Sequence, residues 1–286
     1  MKVSDIYKNG GRSLSFEIFP PKKDEELKNI DDTLDVLCEL KPDFISVTFG
    51  AGGSCNCNKT IELARKIKEE YNVEPVVHLT CLCYDRKEID AFAKALIDSG
   101  IENILALRGD VREGVPKKED FAYASDMVTY LKEKYDFCIL GACYPERHPE
   151  SKNMVDEIRH LKTKVSAGTE VLLSQLFFDN ALFYDYKERC RIADIDVPVI
   201  PGIMPVVKAA QIKRMVSMCN ASFPLRFQKI VDRYENNKEA LFDAGMAYAL
   251  SQIIDLLVSE TDGIHLYTMN NPCIARRICE GIRNIV

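Results

Sequence analysis

The stretch Ser13-Leu14-Ser15-Phe16-Glu17-Ile18-Phe19-Pro20-Pro21 predicts a short buried strand near the start of the chain. It is apolar at most positions and stops at two prolines, which cannot donate a hydrogen bond to a neighbouring strand. Glu17 lies near the end of this strand, where burying an unpartnered ionised carboxylate costs on the order of several kcal/mol. Glu17 therefore has either a structural partner or a raised pKa that a reaction uses.

This strand is the first of eight predicted units along the chain, each a buried strand followed by an amphipathic helix. The connection around Pro224 is predicted to be irregular. Further strands are predicted over 44–48, 76–80, 104–107, 137–142, 171–175, 199–202 and 263–267, and helices over 24–40, 58–70, 86–98, 121–134, 151–167, 180–192, 206–219, 239–258 and 272–285.

Continuous apolar strands that alternate with amphipathic helices are typical of a parallel sheet covered by helices. Eight such units in 286 residues match a closed (β/α)8 TIM barrel, which takes about 250 residues. We therefore predict an α/β fold in which residues 1–286 form a single barrel domain. A doubly wound open sheet is the alternative.

The composition is that of a soluble globular protein, with 47% hydrophobic and 29% charged residues. A net charge of -6, with lysine and arginine dispersed along the chain, gives no reason to expect a nucleic-acid partner. The N-terminus lacks the apolar core of a signal peptide, and no apolar run approaches the roughly 20 residues that cross a membrane. We therefore expect a cytoplasmic protein without a membrane partner.

The 11 cysteines include two closely spaced pairs, Cys55/Cys57 and Cys81/Cys83. Without a secretory signal, a disulfide framework is not expected. The two pairs fall in adjacent loops of the predicted barrel, where four thiolates could hold zinc or an iron–sulfur cluster. Cys-x-Cys is not the usual Cys-x-x-Cys spacing, and Cys81 and Cys83 can simply continue a strand, so no metal site is predicted.

Polar or glycyl residues follow the apolar body of every predicted strand, at the edge where barrel enzymes bind their substrates. A single residue of this kind is usually a turn or a cap. A whole rim of them predicts an enzyme, or at least a ligand site. They are Glu17, Thr48, His78 with Thr80, Arg108 with Asp110, Tyr144, Gln175, Gly202, and His265 with Thr268.

Three loops narrow the kind of ligand. The glycines of 50–53 allow close approach of backbone to a ligand, but they lack the Gly-x-Gly-x-x-Gly spacing of a Rossmann fingerprint. Arg108 and Asp110 flank a glycine and either form a local ion pair or contact a ligand. The loop 144–150 carries Tyr144 and His148 among prolines, which suits a planar ligand.

With these motifs in order along the chain, the sequence resembles the catalytic barrel of the 5,10-methylenetetrahydrofolate reductase family, in its short bacterial form. The resemblance covers essentially all 286 residues. Its motifs are Ser15-Phe16-Glu17-Ile18-Phe19-Pro20-Pro21, Val47-Thr48-Phe49-Gly50-Ala51-Gly52-Gly53, His78-Leu79-Thr80-Cys81, Leu107-Arg108-Gly109-Asp110, Tyr123-Ala124-Ser125-Asp126, Tyr144-Pro145-Glu146, Gln175-Leu176-Phe177-Phe178-Asp179 and Ile200-Pro201-Gly202-Ile203-Met204-Pro205.

The resemblance implies a flavoprotein oxidoreductase of one-carbon metabolism and methionine biosynthesis, with non-covalent FAD. NADH would reduce the flavin by hydride transfer and leave, and 5,10-methylenetetrahydrofolate would then take the hydride in the same place to become 5-methyltetrahydrofolate. Glu17 would be the general acid that protonates N10 of the folate, a role that needs a carboxyl still protonated near neutral pH. Asp110 would be the carboxylate beside the flavin pyrimidine.

The resemblance also implies the remaining contacts. Gln175 and Gln211 fall at folate or nicotinamide positions. The positions that match cofactor contacts are Thr48, Ala51, His78, Arg108, Gly109, Asp110, Tyr123, Ala124, Tyr144, His148, Glu157, His160 and Lys164.

The chain departs from the family pattern at several contacts. Thr163 replaces an arginine, which leaves diphosphate binding to Lys164 and a helix N-terminus. Met215 stands at a position where some members have an aromatic residue against the nicotinamide. The other departures are Glu157 for aspartate, His160 for asparagine, Asn271 for an arginine after the last strand, and the cysteines of 55–57 for a more polar segment.

These departures keep alternatives open. The same barrel could reduce folate with another electron donor or within a multi-subunit complex, and a homo-oligomer or an electron-transfer partner subunit stays open. A binding subunit without turnover is disfavoured because Glu17 and Asp110 are intact. A barrel lyase with a Schiff-base lysine is disfavoured because no lysine lies at the predicted strand ends.

Overall fold

The computed structural model describes residues 1–21, 27–49, 57–111, 117–210, 212, 215, 219, 221–259 and 261–285. The predicted ligand contacts Ala51 and Gln211 lie outside the described residues, as do Cys55 and the side chain of Cys57.

Strands and helices alternate as predicted, after an N-terminal 3-10 helix over Val3–Asn9 that was not predicted. Of the helix predicted over 206–219, residues 209, 210, 212, 215 and 219 are helical. The strands are β1 Ser13–Ile18, β2 Phe44–Val47, β3 Glu74–Thr80, β4 Asn103–Leu107, β5 Cys138–Cys143, β6 Val171–Ser174, β7 Val199–Ile200, β8 Gly202–Ile203 and β9 Gly263–Tyr267. The helices are α1 Leu27–Glu39, α2 Cys57–Tyr71, α3 Arg86–Asp98, α4 Ala124–Lys134, α5 Met154–Ser166, α6 Asn180–Ile192, α7 Leu225–Tyr234, α8 Lys238–Val258 and α9 Pro272–Ile282.

The strands pair in parallel in the order β7-β6-β5-β4-β3-β2-β1-β9-β8. β7 and β8 are the two halves of the predicted seventh strand, separated by Pro201, whose nitrogen has no hydrogen to donate. β7 pairs with β6 and β8 pairs with β9, so this one stretch of chain joins the two ends of the sheet. The prediction of a (β/α)8 TIM barrel is confirmed.

The barrel interior is apolar in its lower part, toward the amino ends of the strands. Phe44, Val76, Leu105 and Leu140 pack there, and Val3 of the 3-10 helix closes this end. A second, larger cluster lies between the outward faces of the strands and the helices. Because apolar side chains fill the lower interior, a ligand that enters the barrel would meet polar side chains at the carboxyl ends of the strands.

The region around Pro224 is more regular than predicted. Pro224 is the N-cap of α7, which begins at the next residue and buries Phe227 and Val231. Proline is tolerated at a helix start because the first helical N–H groups have no partner within the helix. The sequence pattern alone showed the proline but not the packing that makes the following residues helical.

Within the described residues, α8 is the one helix long and apolar enough to cross a membrane, with 21 residues and a mean hydropathy of 1.4. It is not an uninterrupted apolar run, because charged residues such as Asp243 lie within it. Leu241, Met246, Ile253 and Leu256 of α8 are buried in the protein. Packing in the protein therefore accounts for the apolar character of these positions.

Gly245 allows α8 to lie against the chain that follows β8. A Cβ atom at Gly245 would lie 1.9 Å from the backbone oxygen of Val206, whereas one at Gly281 of α9 would meet a side-chain methyl of Leu250 at 2.5 Å. Backbone cannot move aside as a side-chain end can. We expect Gly245→Ala to lower the free energy of unfolding by at least about 2 kcal/mol in urea titrations followed by circular dichroism.

The control is Gly281→Ala, where movement of Leu250 and the better helix propensity of alanine offset the clash. Gly281→Ala should lower the free energy of unfolding clearly less than Gly245→Ala does. Equal losses in the two variants would contradict the close backbone approach.

Candidate active site

Glu17 and His78 face each other inside the barrel at the carboxyl ends of β1 and β3. Glu17 Oε2 lies 3.6 Å from His78 Nε2, and the two side chains are 12% and 9% exposed. Burial raises the pKa of Glu17 to about 8 and lowers the pKa of His78 to about 3. At neutral pH the pair is therefore a protonated carboxyl and a neutral imidazole, not an ion pair, which favours the second of the two explanations for Glu17.

The backbone around Glu17 is held by residues that follow β9. Thr268 Oγ1 donates to the carbonyl of Glu17 at 2.8 Å. The amide of Asn270 bonds both the N–H and the carbonyl of Phe19, at 2.8 and 2.9 Å. Met269 and Asn270 both have a φ of 54°, a left-handed backbone conformation that residues other than glycine rarely adopt. These contacts fix the end of β1 and therefore the position of the carboxyl.

The last strand, β9, places Tyr267 at the rim, where His265 was expected. Side chains alternate along a strand, and the register pairs Glu17 with Tyr267 and Ser15 with His265. His265 therefore lies one layer below Glu17, and Tyr267 donates its hydroxyl to the carbonyl of Ser174 at 2.7 Å. Tyr267 was not among the predicted rim residues. Because side chains two residues apart on a strand share a face, the prediction of His265 at the rim already placed Tyr267 on the same face.

Arg108 pairs with Glu150 of the loop after β5 and not with its neighbour Asp110. Its guanidinium makes two bonds to the Glu150 carboxylate, at 2.5 and 2.7 Å, which raise the pKa of Arg108. Asp110 is exposed. Between them Gly109 has φ of 83°, and a Cβ there would lie 2.9 Å from Thr80 Cβ. The glycine therefore lets the end of β4 pack against the end of β3.

The loop after β5 brings Tyr144 and His148 close to Glu157 of α5. The rings of Tyr144 and His148 meet edge to face with centroids 4.8 Å apart. Glu157 accepts from the N–H of His148 at 3.0 Å and from the hydroxyl of Ser151 at 2.7 Å. Burial lowers the pKa of His148, so its ring is neutral at pH 7. Glu157 thus serves to shape the loop that presents the two rings.

Other predicted contacts are more dispersed. Lys164 is directed onto β5, where its Nζ donates to the carbonyl of Ala142 at 2.6 Å and burial lowers its pKa. Gln175 accepts from the N–H of Leu176 at 2.9 Å. Thr48 is buried at the rim, and its Oγ1 has no hydrogen-bond partner within the described part of the chain. Tyr123 is 61% exposed at the start of α4, next to buried Ala124, and His160 is exposed on α5.

Two of the departures from the family pattern have clear surroundings. Met215 packs with an apolar cluster that includes Leu176 and Phe178. Asn271 is the N-cap of α9, and its side chain accepts from the N–H of Cys273 at 3.1 Å. Asn271 is thereby engaged in starting a helix.

The second cysteine pair lies in the same region, with Cys81 fully buried. Cys81 Sγ lies 3.7 Å from the carbonyl oxygen of Arg108, and burial raises the pKa of this thiol to about 12. Cys83 is half-buried. In the part of the chain that the structure describes, no group of three or more His, Cys, Asp or Glu side chains is arranged to hold a metal ion.

The fold and the rim define the class of protein: a (β/α)8 barrel with a buried, protonated carboxyl where barrel enzymes carry out their chemistry. The family model for methylenetetrahydrofolate reductase matches residues 2–283. The chain is 37% identical over 276 residues to the 5,10-methylenetetrahydrofolate reductase of Escherichia coli, covering 96% of this chain and 92% of that one. This chain therefore belongs to the methylenetetrahydrofolate reductase family.

The other matches are more distant. The methylenetetrahydrofolate reductase (NADH) 1 of Arabidopsis thaliana is 32% identical over 284 residues, covering 94% of this chain and 48% of the plant protein. A Clostridium thermocellum protein that binds two copies of 5-methyl-5,6,7,8-tetrahydrofolic acid superposes with a TM-score of 0.65 at 14% identity, covering 99% of each chain. Tryptophan synthase from M. tuberculosis gives 0.56 at 13% identity, covering 98% and 97%. The last two show the barrel fold alone.

Glu17 makes stability depend on pH in a predictable direction. Its pKa is raised from 4.5 to about 8 in the folded chain, so between these values the folded state holds a proton that the unfolded state releases. Stability contributed by this site therefore falls as pH rises through that window. Relative to wild type, Glu17→Gln should gain stability between pH 5 and pH 8.5, by at most about 5 kcal/mol.

Urea unfolding of both proteins across this range measures the difference. The buried histidines change stability in the opposite direction below pH 6.5, because their pKa values are lowered, but they are common to both proteins and cancel. Stability curves that stay parallel from pH 5 to 8.5 would show that Glu17 is ionised in the folded protein.

Proposed function

We propose that this chain is a flavin-dependent reductase that converts 5,10-methylenetetrahydrofolate to 5-methyltetrahydrofolate, with NADH as the hydride source and non-covalent FAD. The observation that carries the proposal is the buried Glu17 carboxyl, whose pKa is raised to about 8 in a chain of this family. Such a group can donate a proton at neutral pH, which an ordinary exposed glutamate cannot do.

The residues at the rim fit a flavin. Thr48 Oγ1 and His78 Nε2 are buried and have no hydrogen-bond partner among the residues that the structure describes. A flavin ring carries polar groups at its edge that would satisfy them. At Gly109 the backbone packs closely against Thr80. The rings of Tyr144 and His148 are aromatic groups against which a planar ligand would pack. When bound, FAD would accept a hydride from NADH and supply it to the folate.

Glu17 is the proposed proton donor to N10 of the folate. Its carboxyl is surrounded by neutral groups, so the proton stays on it until a basic atom arrives within hydrogen-bond reach. Protonation at N10 opens the folate ring and leaves an electrophilic carbon for the hydride. Thr268 and Asn270 contribute by holding the backbone on both sides of Glu17.

Two further groups have proposed roles that follow from charge. Asp110 is exposed at the end of β4, where its carboxylate would lie beside the flavin pyrimidine and disfavour extra negative charge on the reduced ring. Arg108 is already neutralised by Glu150, so its part is to join the loops after β4 and β5. Diphosphate binding is proposed for a helix N-terminus together with Lys164, whose Nζ would have to leave the carbonyl of Ala142 to reach a ligand. Folate or nicotinamide binding is proposed for Gln175 and Gln211.

NADH is the proposed donor because the Arabidopsis relative carries that cofactor in its name. The second candidate, a different donor or an electron-transfer subunit, is favoured by one observation: Met215 packs into an apolar cluster at the position proposed for nicotinamide contact. We further propose that residues 1–286 act as one catalytic domain in the cytoplasm, in the supply of methyl groups for methionine.

The purified protein should be yellow, and anaerobic NADH should bleach its flavin absorbance. Addition of methylenetetrahydrofolate should restore the colour, because the folate reoxidises the flavin. Stopped-flow absorbance with NADH, NADPH and reduced ferredoxin compares the donors directly. A colourless protein that does not take up added FAD would contradict the proposal.

Glu17→Gln should separate the two half-reactions. The amide cannot donate a proton as an acid, so reoxidation of reduced flavin by folate should fall by at least about 100-fold, whereas reduction by NADH should change little. Glu39→Gln is the control, since Glu39 makes a surface ion pair with Arg276 at 3.2 Å. Equal loss of both half-reactions in Glu17→Gln would refute the assigned role.

A further inference from the structure

His265 occupies the inner wall of the barrel directly below Glu17. Its Nδ1 lies 2.8 Å from Ser15 Oγ, and its Nε2 lies 3.5 Å from Ser46 Oγ. Ser15 is two residues before Glu17 on the same face of β1, and Ser46 is the register partner of Glu17 on β2. The imidazole therefore spans the layer below Glu17 and reaches up to the layer that contains it.

The imidazole ring of His265 also contacts two aromatic side chains. It stacks on Phe44 with centroids 6.0 Å apart and meets Tyr267 edge to face at 5.3 Å. His265 is 1% exposed. A side chain held by two hydroxyls and two aromatic rings has one orientation, which is the property needed of a group that shapes its neighbour's surroundings.

Among the residues of known position, those that the strand register and the contacts place against Glu17 and His265 are uncharged at neutral pH. β1 contributes Ser15, β2 contributes Phe44 and Ser46, β3 contributes His78, β8 contributes Gly202, and β9 contributes Tyr267. Burial lowers the pKa of His265 to about 3, with His78 acting in the same direction, and raises the pKa of Tyr267.

We propose that His265, fixed between Ser15 and Ser46, is a positioning residue that excludes water and positive charge from beneath Glu17 and so keeps the proton on its carboxyl. The inference rests on the proposed function, in which that proton is delivered to the folate. His265 touches neither the substrate nor the reacting atoms; it acts through Glu17.

An imidazole suits this place better than any of three alternatives. An aliphatic side chain would leave the hydroxyls of Ser15 and Ser46 without partners in the barrel interior. A lysine would place a permanent cation near Glu17 and favour the ionised carboxylate. A smaller residue would leave a polar cavity with two hydroxyls, which is the kind of space that water enters.

The test measures the proton on Glu17 directly, in the protein without added cofactor. Infrared spectroscopy detects the C=O stretch of a protonated carboxyl, and its loss in Glu17→Gln assigns the band. In wild type the band should disappear with a midpoint near pH 8. In His265→Ala, water beneath Glu17 should move the midpoint down by about 1 to 2 pH units.

Three further variants sharpen the result. His265→Gln restores a neutral polar side chain of similar size and should return the midpoint toward that of wild type. His265→Asn fills the space only in part and should give a smaller downward shift, which also serves if His265→Ala does not fold. Thr169→Val removes another buried hydroxyl, outside this network, and should leave the midpoint unchanged.

Flavin-loaded protein gives a second readout. The basic limb of the pH profile for folate reduction should move with the infrared midpoint, whereas reduction of flavin by NADH should not. A folded His265→Ala or His265→Asn variant with the wild-type midpoint would overturn the role of His265. If instead Glu17→Gln reduces folate normally, Glu17 is not the proton donor to the folate, while the infrared midpoints still decide what His265 does.

Discussion

Desolvation of Glu17 is the interaction on which the site depends. A carboxyl at the end of a buried strand remains neutral only if no cation lies near it and water is largely kept away. The inner wall meets both conditions with side chains that are polar but uncharged, among them Ser15, Ser46 and His78. The barrel interior is accordingly divided into an apolar lower part, which stabilises the fold, and a polar upper part, which carries the chemistry.

Closure of the barrel creates this arrangement. β1 lies between β2 and β9, so the wall around Glu17 is assembled from strands at opposite ends of the chain. Ser15 and His265 are 250 residues apart in sequence and 2.8 Å apart in space. The break at Pro201 lets one stretch of chain pair with β6 on one side and β9 on the other. A small shift in the strand pairing that closes the barrel would therefore alter the surroundings of Glu17 without a change to Glu17 itself.

Local patterns predicted much of the fold, because strand and helix periodicity is a property of neighbouring residues. The helices 86–98 and 180–192 and the strand 263–267 have the predicted bounds. The same patterns missed α7, whose burial depends on distant residues, and the two halves of the seventh strand. At the rim they identified Glu17 and His78, but for Arg108 they offered only a local ion pair with Asp110 or a ligand contact, whereas its partner Glu150 is 42 residues away.

The sequence by itself determined the barrel class, the strand that bears Glu17 and the order of the rim residues, because each depends on local periodicity and on the motifs of the family. Only the tertiary structure decided which side chains surround Glu17: that His78 is uncharged, that His265 lies a layer below the rim, and that Tyr267 takes its place. The pKa of a buried group is set by every atom around it, and those atoms come from strands that the sequence does not place side by side.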